Sequence, residues 1–508
     1  MTGPVAIDGR SLSLADLVAV ARDGAAVELR ASARDAMAAS RAAVDRAIAS
    51  GRAVYGVTTG FGGLSHLVIP PERARELQLS LVRSHASGAG PALPADLVRA
   101  LTLLRANSLA RGHSGVRAEV VDRLLAILNH RLVPWIPEQG SVGASGDLAP
   151  LAHLALALLG EGAFVAPATG ASEPAAEVLG RAGIPVLALH EKEGVALLNG
   201  TALMAAYLAL AVEDARTLLE AATIAGALTF DALEGHPGAL DDRLGEVRNA
   251  PDQRASAAAL RALLNGSTLA SARPGWTGQD PYTLRCQPQV FGTVRAAIAT
   301  AGSVVAAELN AVTDNPVVFD DEFVSGGNFH GQPLAFQLDV LALAVQYLAA
   351  FAERRVARLV HPALNRGLPA FLAPEPGVSS GFMVPQYLAA ALVNENLTLV
   401  HPASAASLTT SADQEDFVSM GPWAGAKLRR ILANTRRVVA VEWIVAGAAL
   451  ELRRPKTGGV GSESALRALR TRVAPWTQDR SPSVDIERVA VAIETGAIVR
   501  EVRAGVPF

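Results

Sequence analysis

The chain reads as mainly α: a long central helical bundle with a loop-rich N-terminal region that carries the candidate site. Three observations lead there. Apolar residues recur at helical spacing over many turns, whereas period-2 strand patterns are few and short. Half of the 508 residues are hydrophobic but only 5% are aromatic, so the apolar bulk is Ala, Leu and Val. Ala-rich helices that are apolar on nearly every face suit close packing in a bundle, or between subunits, better than a wetted surface. Finally, Gly and Pro crowd at 56–63, 88–94, 134–146 and 167–174, which breaks the first 200 residues into shorter pieces.

In chain order, residues 1–18 hold an early Asp and Arg but no basic start followed by an apolar run, so no targeting segment is expected there. Leu97, Leu101 and Leu104 mark a helix by their spacing. An apolar helix is predicted from Asp147 to Leu159, with Pro150 in its first turn and Gly160 at its end. Residues 194–212 carry no charge, a length close to the ~20 residues of a membrane span. Asn199-Gly200-Thr201 interrupts that stretch and Glu213-Asp214 follows it, so it reads as a turn running into a buried core helix. Long helices are predicted over 201–230, 287–310 and 421–452. Leu334, Leu338, Leu341, Val345, Leu348, Ala352, Val356 and Leu359 form the stripe of another. The best strand signal lies at 317–324. No repeat or Ser/Gly-rich linker divides the chain; the segments taken are 1–200, 201–452 and 453–508.

Composition narrows the chemistry. The formal charge is −3 with no basic block, so neither nucleic acid nor an anionic membrane is expected as a partner. A single cysteine, Cys286, excludes an intrachain disulfide and Cys-rich metal sites. Only three lysines occur (Lys192, Lys427 and Lys456), beside 42 arginines. Pyridoxal phosphate and Schiff-base chemistry both need a lysine, so few anchors are on offer. No metal and no pyridoxal phosphate are expected, and the protein is expected to be soluble and cytoplasmic. Phosphate-binding loops, zinc-binding His motifs and nucleophile elbows are missing from the sequence.

The informative string is Gly140-Ser141-Val142-Gly143-Ala144-Ser145-Gly146-Asp147-Leu148-Ala149-Pro150-Leu151-Ala152-His153-Leu154. Ala144-Ser145-Gly146 falls at a helix N-terminus, where unpaired N–H groups and the positive dipole end favour negative charge. A second copy, Ala86-Ser87-Gly88, runs into Ala89-Gly90-Pro91 with no acidic residue after it. It serves as an internal control, because the tripeptide alone carries little information.

With these pieces in view, the chain resembles the aromatic amino-acid ammonia-lyase family. The resemblance covers seven separated segments between Tyr55 and Glu415. It implies that Ala144-Ser145-Gly146 cyclises into a methylidene-imidazolone (MIO) group. In that reaction the Gly146 amide nitrogen attacks the Ala144 carbonyl, a tight approach that suits a residue without Cβ. Loss of water from Ser145 then leaves an exocyclic methylene, a carbon electrophile. Tyr55, in Tyr55-Gly56-Val57-Thr58-Thr59-Gly60-Phe61-Gly62, matches the family's catalytic loop tyrosine. Asn199 matches the asparagine beside the prosthetic group. Gln279-Asp280-Pro281-Tyr282-Thr283-Leu284-Arg285-Cys286 supplies Gln279, a second tyrosine in Tyr282, and Arg285 to grip a substrate carboxylate. Thr313-Asp314-Asn315-Pro316 is also family-like, and Phe329 in Gly326-Gly327-Asn328-Phe329-His330-Gly331 corresponds to a phenylalanine packed near the MIO. Tyr55 and Tyr282 are the implied acid/base pair. A phenol titrates near ~10, so acting as a base requires help from a helix dipole or Arg285.

His85 and Glu415 point to L-histidine as substrate, deaminated without oxidation to trans-urocanate and ammonia. Glu415 stands where many phenylalanine-acting members carry Gln, and a phenyl ring would leave its carboxylate unpaired. A homotetramer with sites shared between subunits is implied as well. Phe417, Asp413 and Thr58 depart from the residues usual in histidine-acting members, where His, Asn and Asn are common. Left open are action on another aromatic amino acid, an aminomutase outcome, and a non-catalytic relative in which the ring never forms.

Overall fold

Four long helices absorb the apolar runs: Ala202–Ala232, Gln287–Glu308, Gln332–Val360 and Gly421–Glu451. They belong to a computed structural model that describes residues 3–270 and 278–508. The described residues hold nineteen α-helices and eight short strands, so the mainly α class expected from sequence is found. The uncharged stretch at 194–212 folds as the short helix Glu193–Leu198, a break at 199–201, and the start of the helix Ala202–Ala232. The strand signal at 317–324 becomes the hairpin Val317–Phe319 with Glu322–Val324.

The chain divides into two units that interleave along the sequence, whereas the three segments named from sequence are consecutive. The first comprises Met1–Leu210, Gly302–Leu338 and Pro402–Ala426; the second comprises Ala211–Ala301, Asp339–His401 and Lys427–Phe508. All the described strands lie in the first unit, as four two-stranded pairs. At its centre is the helix Ala95–Ala110, buried on nearly every side from Leu97 to Ala110. That burial extends to four polar side chains, Thr102, Arg105, Asn107 and Ser108. Asn107 is satisfied by accepting from the Gly9 N–H at 2.9 Å and donating to the Leu309 carbonyl at 2.8 Å.

Among the described residues, the elements of the second unit are all helices, joined by loops. Its core holds the fully buried Trp443, whose indole N–H donates to the Ala221 carbonyl at 2.9 Å. Beside it a buried ion pair joins Arg355 to Glu442 at 2.6 Å. Gln287 accepts from that guanidinium at 2.7 Å and Thr229 donates to the carboxylate at 2.7 Å. Those bonds offset the cost of burying two charges.

Candidate active site

In the first unit the helix Leu148–Leu158 starts where its sequence predicts, with Asp147 as N-cap. The tripeptide ahead of it has an unusual backbone. Ser145 has φ of 48° and Gly146 φ of 78°, two consecutive left-handed residues. That conformation costs roughly 1 kcal/mol or more for a residue with a side chain, so something must hold it. The Gly200 peptide does so. Gly200 N–H donates to the Ser145 carbonyl at 3.2 Å, and the Gly200 carbonyl accepts from the Asp147 N–H at 2.7 Å. A Cβ on Gly146 would lie 2.1 Å from the Gly200 oxygen, so only glycine fits this approach.

Asp147 is fully buried, and its Oδ2 accepts from the N–H groups of Leu203 and Met204 at 2.8 and 3.1 Å. These N–H groups open the helix Ala202–Ala232, so Asp147 also caps it. Its Oδ1 has no hydrogen-bond partner. Burial pushes this carboxyl up to about 7, against the pull of the two N–H bonds and with a further push from Glu308. Glu308, hydrogen-bonded to the Thr201 hydroxyl, is itself raised by burial.

Asn199 sits one residue before the clamp. Its Nδ2 donates to the Asn315 carbonyl at 2.9 Å, its own carbonyl accepts from Arg105 at 2.6 Å, and its buried Oδ1 is unpartnered. The string 140–146 is also tied to the segment after Glu415: Met420 N–H donates to the Val142 carbonyl at 2.9 Å. A Cβ on Gly143 would fall 2.1 Å from Ser419 Oγ.

Glu415 closes a tight loop in which Ser411, Ala412 and Asp413 all have positive φ. Backbone bonds between Thr410 and Glu415 close its base, and the Thr410 hydroxyl donates to Glu415 Oε2 at 2.7 Å. His85 ends the helix Ala74–His85. Its Nδ1 lies 2.9 Å from the Leu81 carbonyl; a carbonyl only accepts, so Nδ1 carries the proton and Nε2 is left as an acceptor. Burial lowers the His85 pKa, partly offset by the Leu81 bond and the Glu415 charge.

The Tyr55 loop is anchored at its base by Val54 and Val57, which join a buried cluster with Ala43, Val44, Ala47 and Val318. Thr58 completes the base: its hydroxyl donates to the Arg52 carbonyl and accepts from Val54 N–H, both at 2.9 Å. Tyr55 is half-buried, accepts from the Gly62 N–H at 3.1 Å, and meets the Phe61 ring edge-on. A Cβ on Gly62 would come within 2.6 Å of Ser411 Oγ, so this loop abuts the Glu415 loop. Phe329 is half-buried, next to His330, which stacks on the exposed Phe417 at 6.0 Å.

The first unit thus gathers Tyr55, His85, Ala144, Ser145, Gly146, Asn199, Phe329 and Glu415 among its residues. Gln279, Tyr282 and Arg285 belong to the second. There Gln279 and Tyr282 are exposed, and the Arg285 guanidinium lies 4.7 Å from the Tyr282 ring centre. Asp280 anchors this stretch through an ion pair with Arg366 and an acceptor bond from the His236 N–H at 2.6 Å. The residues that sequence reasoning passed over are Arg105, Gly200 and Thr410, together with Lys192 as a partner of Asp314. Lys192 was visible only as one of three lysines, and the others gave no signal of their own.

A profile of the aromatic amino acid lyase family matches residues 12–471. A histidine ammonia-lyase of Symbiobacterium thermophilum is 50% identical over 499 residues, covering 98% of each chain. The solved structure of histidine ammonia-lyase from Trypanosoma cruzi superimposes with TM-score 0.92 at 40% identity, covering 99% of this chain and 96% of that one. Tyrosine aminomutase from Streptomyces globisporus reaches TM-score 0.94 at 36% identity, covering 99% of each chain.

Proposed function

This chain belongs to the aromatic amino acid lyase family, and from that premise we propose that it deaminates L-histidine to trans-urocanate and ammonia as a histidine ammonia-lyase. The observation that carries the reading is the clamped tripeptide. The left-handed turn at Ser145 and Gly146, the absence of room for a side chain at Gly146, and the Gly200 bonds fit a backbone that closes on itself. The MIO group formed from Ala144, Ser145 and Gly146 supplies a carbon electrophile for the substrate amine.

The chain's own side chains supply the rest. Glu415, steadied by Thr410, and the His85 Nε2 left as an acceptor suit an imidazolium, which donates from both ring nitrogens. Tyr55 holds and moves the proton at its phenol oxygen, which the Gly62 N–H keeps in place. Asn199, with its free Oδ1, orients the substrate beside the ring, and Phe329 walls the site. Arg285 takes the substrate carboxylate as a bidentate pair, with Gln279 and Tyr282 beside it. These residues reach each site from neighbouring subunits of a cytoplasmic homotetramer. Apolar side chains left open on each unit support such an assembly: Phe336 and Trp423 on the first, Leu343 and Tyr387 on the second.

Incubation with L-histidine, L-tyrosine and L-phenylalanine, following the absorbance of each unsaturated product, tests the reading. Urocanate from histidine with little product from the others is expected. A β-amino acid product would favour the aminomutase outcome, to which the similarity with tyrosine aminomutase lends weight. Glu415→Gln should lower kcat/KM for histidine by about 10–100-fold, the scale for unpairing one buried hydrogen-bonding group.

A further inference from the structure

Behind the tripeptide clamp lies a buried charge cluster to which the proposed chemistry assigns no role. Arg105 is fully buried on the central helix of the first unit. Its Nη1 donates to the Asn199 carbonyl at 2.6 Å. That carbonyl and the Gly200 N–H belong to one peptide group, and the N–H donates to the Ser145 carbonyl. Guanidinium, peptide and Ser145 oxygen therefore form a single chain of hydrogen bonds. A cation on the carbonyl end of an amide polarises it and strengthens the donor at the other end, an effect enlarged where water is excluded.

We propose that Arg105 is a positioning residue for the reaction, its charge transmitted through the Asn199–Gly200 peptide to the Ser145 carbonyl oxygen. The proposal rests on the ammonia-lyase reading and extends it to a group that touches neither substrate nor ring.

The surroundings fit this role. Lys192, also fully buried, donates to Asp314 Oδ2 at 2.7 Å. Asp314 Oδ1 accepts from the Asn315 N–H at 2.7 Å, and Asn315 holds the Asn199 side chain. Asp314 thus divides its charge between Lys192 and Arg105, while Glu308, raised by its own burial, lines the same small cavity as Arg105. Without Lys192, Asp314 would neutralise Arg105 more fully. Gly200 is what allows the approach, since a Cβ there would lie 2.3 Å from Arg105 Nη1 and 2.7 Å from Thr313 Oγ1.

The Ser145 carbonyl matters twice. In ring formation the Gly146 nitrogen bonds to the Ala144 carbonyl carbon, and the Ala144 oxygen leaves as water with hydrogens from the Gly146 and Ser145 nitrogens. Ser145 then loses its hydroxyl and its Cα proton as a second water, with no oxidant required. Removing that proton sends electron density to the Ser145 oxygen. Addition of a nucleophile to the finished methylene sends density to the same oxygen. A stronger Gly200 donor favours both events.

The test compares purified wild-type, Arg105→Gln, Arg105→Lys and Lys192→Met chains by intact mass, by the rate of cyanide addition followed by mass, and by kcat and KM for histidine. Deleting an oxyanion donor costs about 10²–10³-fold, and here the donor is only weakened, so cyanide addition and kcat in Arg105→Gln should fall about tenfold with KM changed less than about twofold. Arrest of that variant at full mass, or lighter by one water only, equally supports the proposal. Arg105→Lys keeps the charge and should recover most of the loss. Lys192→Met should slow cyanide addition about threefold, a weaker effect at one remove, and it decides the matter if Arg105→Gln does not fold. A fully cyclised Arg105→Gln chain with wild-type cyanide addition and kcat overturns the proposal. A purely structural role would lower stability and leave the cyanide rate of cyclised chains unchanged. A wild-type chain at full mass overturns this proposal and the ring together. A cyclised wild type that is inert on histidine overturns only the substrate reading, and cyanide addition still decides the role of Arg105.

Discussion

The same three residues, Ala-Ser-Gly, occur twice in the first unit and are handled in opposite ways. At 144–146 the backbone is left-handed at both Ser145 and Gly146, the Gly200 peptide grips it from both sides, and a buried Asp147 caps two helices beside it. At 86–88 neither Ser87 nor Gly88 has a positive φ, and Ser87 is exposed. Gly88 N–H donates to His153 Nε2 at 3.1 Å, and the chain continues into the strand Ala89–Ala92, paired with Pro137–Gln139. The second copy lies against the segment that leads into the first: a Cβ on Gly140 would lie 2.9 Å from the Gly88 Cα. Shared composition and a nearby environment are therefore not enough. What separates the copies is the clamp, which arrives from residue 200 and cannot be inferred from the tripeptide itself.

The largest expected difference is chemical. Ser145→Ala removes the source of the electrophile, and kcat should fall by more than about a thousandfold, equivalent to at least ~4 kcal/mol of barrier. Ser87→Ala should keep the ring and stay within about twofold of wild-type activity. If both variants lost activity alike, the comparison would collapse.

Next comes backbone tolerance, read by urea denaturation. Gly146→Ala places a Cβ 2.1 Å from the Gly200 oxygen on a residue with φ of 78°, and should cost roughly 2–4 kcal/mol. Gly88→Ala meets its nearest neighbour, His153 Nε2, at 3.0 Å, and should cost about 1 kcal/mol.

The third difference depends on pH. Asp147 titrates at about 7 when folded, above the ordinary carboxylate value of 3.8. A raised folded value favours the protonated form, so its stabilising contribution is complete below the unfolded pKa and is lost as pH rises through about 7. The stability of wild type relative to Asp147→Asn should therefore decline between pH 3.8 and about 7, by a few kcal/mol at about 1.4 kcal/mol per unit, and level off above. A flat difference across that window would mean that Asp147 stays ionised. The smallest effect belongs to the second copy. His153→Leu removes the acceptor for Gly88 N–H and should cost about 1 kcal/mol while leaving the mass of the 144–146 peptide unchanged.

How much was legible in advance follows the reach of each signal. The helices at 202–232 and 332–360 could be read because Leu and Val repeat every three or four residues within one continuous stretch. The helix start at Asp147 was legible from Pro150 and Gly160. Thr58, a departure from the residue common in histidine-acting relatives, has a local role in closing the base of the Tyr55 loop. The cluster of Arg105, Lys192 and Asp314 was not legible, because it joins three residues far apart in sequence and each alone resembles an ordinary charged side chain. The interleaving of the two units was equally hidden, since four of its five boundaries fall inside uninterrupted helices. His85 shows the limit from the other side. Its place near Glu415 was expected, but which ring nitrogen remains available depended on the Leu81 carbonyl one turn back.

The central claim is that one copy of Ala-Ser-Gly becomes an electrophile and the other stays peptide. Peptide-resolved mass spectrometry of the purified wild-type chain tests it most directly. The fragment containing Ala144, Ser145 and Gly146 should be lighter by two waters, and the fragment containing Ala86, Ser87 and Gly88 should have its full mass. Full mass at 144–146, or a loss at 86–88 instead, would contradict the account.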